Sequence, residues 1–255
     1  MPLKNKVLII TGSANGFGAA LSRRVVREGA KAVLGDIDQK GGEAIEVELN
    51  NNNKKNVKFV ICDVQKRADL IKLFETAEKE FGGVDILINN AGISRIPDLY
   101  DGSETWKQII SVNLNGVIEG TQLSFPYFKK RGGGVIVNVA SMAGIQPYYV
   151  GLFPAYGASK AGVIAFTRAL HGLKQTANIR VNAVAPIFSD TKLLREGLEA
   201  SKMFRQQVES AGTVTVEEVV TAIVHCIENE SLVGEVVAVT PRNQLFVVPK
   251  EKGKF

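Results

Sequence analysis

Short apolar runs rich in β-branched residues alternate with helical periodicities along the whole chain. Val7–Ile10 is apolar at every position, which fits a strand buried on both faces. Similar runs recur at 32–34, 57–62, 85–89, 135–140, 180–185 and 236–240. Between them, helical patterns cover 19–28, 44–49, 70–81, 103–130, 155–176, 191–210 and 216–228. The punctuation agrees: Gly29, Gly82-Gly83 and Gly132-Gly133-Gly134 stop helices, and Asn50–Asn53 is a polar loop. Such alternation predicts parallel strands joined by right-handed crossovers. The expected fold is α/β: a single doubly wound Rossmann domain with a parallel sheet of about seven strands and helices on both faces. No Pro/Ser-rich linker interrupts the pattern, so residues 1–255 read as one domain.

Composition narrows the class. Hydrophobic residues make up 45% and charged residues 22%, which excludes whole-chain disorder. No run reaches the ~18 consecutive apolar residues of a membrane span. The opening Met-Pro-Leu-Lys-Asn-Lys-Val does not read as a signal peptide. Two cysteines, Cys62 and Cys226, cannot build a disulfide scaffold and fit a reducing, cytoplasmic setting. The net charge of +5 is scattered rather than striped, against a nucleic-acid partner. Lys129-Lys130-Arg131 reads as a helix C-terminus, and Lys250, Lys252 and Lys254 as a solvated tail. His171 and His225 lack ligand spacing, so no metal is expected; both read as surface or packing residues, and Trp106 as a packing residue.

The first strand runs into Thr11-Gly12-Ser13-Ala14-Asn15-Gly16-Phe17-Gly18, which opens a helix. Glycine tolerates positive φ and lets backbone approach a pyrophosphate, while the helix N-terminus offers unpaired N–H groups. The second strand ends at Asp36. A carboxylate there accepts from ribose hydroxyls and repels a 2′-phosphate, which favours NAD over NADP. Asp38 is the better helix-cap candidate. Further on, Tyr156 and Lys160 stand four apart, on one face of a helix. A neighbouring cation favours phenolate and lowers the tyrosine pKa.

These pieces fall in one order: Thr11–Gly18, Asp36, Asp63-Val64, Asn89-Asn90-Ala91-Gly92, Asn113, Ser141 and Tyr156–Lys160. The chain resembles the short-chain dehydrogenase/reductase family over essentially its whole length. Within the family, Ser141–Gly144 and the region around Ile227–Phe246 resemble dehydrogenases of hydroxylated fatty acids and prostaglandins. The resemblance implies that Gly12, Asn15, Gly16, Phe17 and Gly18 cradle the pyrophosphate and that Asp36 and Ile37 hold the adenosine ribose. It implies Asp63 and Val64 beside adenine, Asn90 against the cofactor, and Ser189 and Thr191 near the nicotinamide. Tyr156 becomes the general acid/base. Lys160 lowers its pKa and binds the nicotinamide ribose, Ser141 holds the reacting oxygen, and Asn113 supports a relay water. A homodimer or homotetramer is expected, through the helices at 103–130 and 155–176. Two departures stand out: Pro186-Ile187 replaces the family's Pro-Gly, and Phe153 replaces a substrate-contacting Gln.

The segment 145–153 is apolar and aromatic, and Ile187, Phe188, Leu193, Leu194, Met203 and Phe204 continue that character. An apolar pocket is lined this way, as is a buried loop or a subunit contact. The substrate-binding segment is expected around 187–212. The leading expectation is NAD-dependent oxidation of an apolar or lipid-like secondary alcohol. The alternatives are a dehydrogenase of a sterol, retinoid, polyol or other small alcohol, or a dinucleotide-binding regulator without turnover.

Overall fold

The computed structural model describes residues 2–50, 55–146, 151–241 and 244–249. Most of the expected polar loop at 50–53, residues 147–150 of the apolar segment, and the lysines at 250, 252 and 254 lie outside the described residues.

Eight strands form one sheet in the order β3-β2-β1-β4-β5-β6-β7-β8. The strands β1 (Val7–Thr11), β2 (Lys31–Asp36), β3 (Val57–Ile61), β4 (Ile86–Asn89), β5 (Gly134–Val139), β6 (Ile179–Pro186) and β7 (Val236–Thr240) pair in parallel. The sheet then gains a strand that the sequence pattern misses: β8 (Gln244–Val247) returns antiparallel on β7, with Thr240 opposite Gln244. With no helix between β7 and β8, β-α alternation gives no sign of it.

The helices are α1 (Gly16–Arg27), α2 (Gln39–Leu49), α3 (Arg67–Phe81), α4 (Thr105–Ile110) and α5 (Gly116–Arg131). They continue with α6 (Pro154–Ala169), α7 (Leu173–Ala177), α8 (Lys192–Ala200), α9 (Lys202–Ala211) and α10 (Val216–Glu228). Strand β1 shows why its run is apolar throughout. Leu8 and Ile10 join a core with Leu21 and Val25 of α1 and Val219 and Ile223 of α10. Val7 and Ile9 point the other way, to Leu73 and Phe74 of α3 and Phe128 of α5. Burying each such side chain is worth roughly 1.5–3 kcal/mol, so one strand holds both helical layers.

Several expectations change in detail. The helical stretch over 103–130 carries a π turn, Ser111–Asn115, between α4 and α5. The stretch 191–210 breaks at Ser201, whose extended backbone (φ −149°, ψ 122°) starts α9 and whose hydroxyl accepts the Phe204 N–H at 3.2 Å. Helix α2 begins at Gln39 rather than Ala44, because the weak helix formers Gly41 and Gly42 hide its first turn. Asp38 caps it as expected, accepting the Gly41 N–H at 3.1 Å. Lys129, Lys130 and Arg131 do form the last turn of α5, and Arg131 in addition reaches the buried Asp85. Trp106, expected to pack, is 40% exposed. His171 and His225 are exposed.

Strand order reverses between β1 and β4, because the chain winds outward from them in opposite directions. A crevice opens there beyond the carboxyl ends of the strands.

Candidate active site

Strand β1 delivers the glycine turn into this crevice. Gly12 (φ 66°) and Gly16 (φ 52°) occupy left-handed backbone, and a Cβ on Gly12 would lie 2.8 Å from the Ala91 Cα. No larger residue fits. The Asn15 side chain does not cap α1; it donates to Asp38 at 3.4 Å. The first-turn N–H groups and the positive end of the helix dipole therefore remain for an anion. The buried hydroxyls of Ser13 and Ser189 have no hydrogen-bond partner among the described residues. A cradle of this shape, charge and unmet hydrogen bonding fits the pyrophosphate of a dinucleotide. Phe17 packs its ring on the main core, leaving its backbone to the turn.

Other expected cofactor residues divide. Asp36 stands beside the turn, its carboxylate accepting the Ala14 N–H at 2.8 Å and the Asp38 N–H at 2.9 Å. Ile37 beside it is 70% exposed. Thr191 lies over the turn, its methyl 3.4 Å from where a Gly16 Cβ would sit. Asn90 works from behind: its amide donates to the Thr11 and Gly12 carbonyls at 2.8 and 2.9 Å. Asp63 is turned toward the start of α3, accepting the Gln65 N–H at 3.1 Å, and Val64 is buried against Gly116. Ile187 continues the ladder, its N–H donating to the Val239 carbonyl at 3.0 Å, and its side chain packs on the main core. The residue that replaces glycine is thus absorbed by the sheet.

Strand β5, a 3₁₀ turn and helix α6 bring Ser141, Tyr156 and Lys160 together. Strand β5 leads to Ser141, whose hydroxyl accepts the Ala143 N–H at 3.1 Å and opens a 3₁₀ turn, Met142–Gly144. Helix α6 presents Tyr156 and Lys160 on one face, the ammonium 5.7 Å from the phenol ring centroid. The Tyr156 hydroxyl faces Ser141. The Lys160 Nζ donates to the Val139 carbonyl at 2.8 Å. Gly144 permits this approach, since a Cβ there would lie 2.5 Å from the Lys160 carbonyl carbon.

The electrostatics correct one expectation. Burial pushes the Tyr156 hydroxyl above the ordinary phenol range, and the Ser141 side chain pulls the other way. The sequence reading gives Lys160 the part of lowering it. Instead burial acts on Lys160 itself, taking its ammonium from 10.5 down to about 8.

Asn113 is fully buried in the π turn. Its amide clamps the Ile93 backbone, accepting the N–H at 2.8 Å and donating to the carbonyl at 2.9 Å, and also donates to Ser159 at 3.2 Å. Its side chain is therefore fully engaged within the protein.

One residue escaped the sequence reading. Asp98, fully buried, accepts the N–H groups of Ala155 and Tyr156 at 3.3 and 2.8 Å. Only Pro154 at the first position of α6 hinted that this helix starts without a local cap.

An apolar cluster abuts Tyr156. Phe153, Leu194, Phe204 and Val208 are buried together, with Phe188 and Ile96 packed against them. Phe153 meets the Tyr156 ring edge-on at 5.8 Å and Phe204 at 5.4 Å. Met203 is 53% exposed and Ile187 packs elsewhere, so neither joins it as expected.

A family model described as short chain dehydrogenase matches residues 6–202. The chain is 31% identical to the NAD(+) 15-hydroxyprostaglandin dehydrogenase of Mus musculus, over 94% of this chain and 91% of that protein. It is 36% identical to the 7alpha-hydroxysteroid dehydrogenase of Bacteroides fragilis, over 80% of each. Among solved structures, a 3-ketoacyl-(acyl-carrier-protein) reductase from Brucella melitensis complexed with NADH superposes with a TM-score of 0.81. It is 32% identical, over 93% of this chain and 97% of that one.

Proposed function

The chain belongs to the short chain dehydrogenase family, and on that premise we propose that it oxidises a secondary alcohol to a ketone with NAD. The substrate in this reading is apolar or lipid-like, such as a hydroxylated fatty acid or prostaglandin. The observation that carries it is the convergence of Ser141, Tyr156 and Lys160 beside the dinucleotide cradle, with Phe153 and Phe204 packed at the base. Bound NAD⁺ supplies the hydride acceptor. Ser141 hydrogen-bonds the reacting oxygen, and Tyr156 takes the hydroxyl proton as general base. Lys160 supplies positive charge near the phenolate. Asp36 orients the ribose and disfavours a 2′-phosphate.

Phe153 belongs to the buried apolar cluster behind Tyr156, where a Gln would bring hydrogen-bonding groups, which supports a lipid-like chain or ring system. A sterol or retinoid alcohol is the second reading, favoured by the likeness to the Bacteroides fragilis steroid enzyme. The reading also treats the chain as one domain, with 187–212 as its substrate-binding segment. Subunits would pair through α4, α5 and α6, where Trp106 and Ile118 are exposed.

Kinetics across homologous secondary alcohols and hydroxy fatty acids test the reading. Each buried methylene is worth about 0.8 kcal/mol, so kcat/KM should climb about fourfold per carbon until the pocket fills. A flat series, or a preference for polyols, would show that the apolar cluster serves packing alone.

A further inference from the structure

Asp98 sits in the loop between β4 and α4, far in sequence from the helix it serves. Helix α6 starts with Pro154, which has no N–H, so its first free donors are those of Ala155 and Tyr156. The cap position holds Phe153, whose side chain makes no cap hydrogen bond and packs on the Tyr156 ring instead. A helix start ordinarily carries Ser, Thr, Asp or Asn at that position. Here the carboxylate arrives from another loop and takes both donors, one on each oxygen.

No ion pair of Asp98 occurs among the described residues, and the charged group acting on it is another carboxylate, Asp101. Burial pushes the Asp98 carboxyl up, and the Tyr156 and Ala155 N–H groups hold it down. A buried carboxylate without a cation is costly, so its place asks for a reason. Tyr156 lies in the first turn of its helix, where helices fray. Lys160, one turn on, has its own anchor at the Val139 carbonyl.

We infer that Asp98 is a positioning residue: by clamping the Ala155 and Tyr156 N–H groups it fixes the first turn of α6 and holds the Tyr156 hydroxyl against Ser141. This rests on the function proposed above, in which Tyr156 is the base. Its first test needs no substrate, so it can fail separately from that reading.

The test uses the full chain and the variants Asp98→Asn and Asp98→Ala. Phenolate absorbance of each, minus that of the same protein carrying Tyr156→Phe, isolates the titration of Tyr156. The groups facing the phenol are Ser141, Lys160 and, through the backbone, Asp98. Because burial is what raises this phenol, loosening the first turn should move the midpoint down toward the free-tyrosine value of about 10. An unchanged midpoint in Asp98→Asn overturns the inference, whatever happens to the melting temperature. In the proposed reaction, kcat should fall about 10- to 100-fold at a temperature where both proteins are folded, with NAD affinity retained. Unchanged kcat in a less stable Asp98→Asn would make Asp98 a structural cap only, and would also overturn the inference. If neither variant folds, amide exchange on the unaltered chain decides. Tyr156 protected as well as mid-helix amides supports the clamp, and exchange at the rate of a frayed end refutes it.

Discussion

Replacing Lys160 with Met keeps the apolar stem and removes the charge. Burial takes this ammonium from 10.5 down to about 8, and the side chain is 4% exposed. The folded chain therefore releases the proton before the unfolded chain does. The group's contribution to stability is fully present above about 10.5 and is lost as pH falls through about 8. The drop from 10.5 to about 8 corresponds to roughly 3 kcal/mol. Of this swing, about 2 kcal/mol falls between about pH 7 and about pH 9.5, when the two titration curves are integrated. Urea unfolding of both proteins at these two pH values measures it. Subtracting the variant cancels other titrating groups and the pH-independent loss of the Val139 hydrogen bond. Wild type should gain about 2 kcal/mol relative to Lys160→Met on going to the higher pH. A flat difference would mean that Lys160 is hydrated and titrates like a surface lysine, refuting the burial argument.

Three further predictions follow from the site. NAD should bind more tightly than NADP by fluorescence titration, and Asp36→Ala should narrow the gap; tighter NADP binding by wild type would remove the role given to this carboxylate. Gly144→Ala should destabilise the chain by about 1–3 kcal/mol in urea, because its Cβ would collide with the Lys160 carbonyl carbon at 2.5 Å; unchanged stability would show that the 3₁₀ turn can retreat from α6. Burial pushes both thiols up to about 12, with the Asp69, Asp63 and Asp36 carboxylates adding to the effect at Cys62. Neither thiol should react with a disulfide reagent at neutral pH until the protein is unfolded, and rapid native labelling would contradict this.

The strands were legible because each apolar run serves two helical layers, as Leu8 and Val7 do on opposite faces of β1. The helix starts were less so: glycines obscured the opening of α2, and an unbroken periodicity concealed the break at Ser201. Strand β8 has no helix before it to mark the crossover. In the site, motif order singled out Gly12–Gly18, Ser141, Tyr156 and Lys160 as a group, while their surroundings depend on the fold. Hydrogen-bond partners were not legible. Nothing local says that Asn113 grips Ile93, or that Asp98 reaches a helix start more than fifty residues onward. The direction of the Tyr156 shift was also hidden, because it depends on burial, a tertiary property, rather than on the four-residue spacing to Lys160.

The central claim, that Tyr156 removes the proton of a secondary alcohol as its hydride passes to NAD⁺, is tested most directly by Tyr156→Phe. The substitution deletes one hydroxyl, the one that faces Ser141, and leaves the glycine cradle untouched. NADH formation at saturating NAD⁺ should fall by about 10²–10⁴-fold on the best alcohol of the series, with the affinity for NAD⁺ retained. Turnover near that of wild type in a pure preparation would contradict the account.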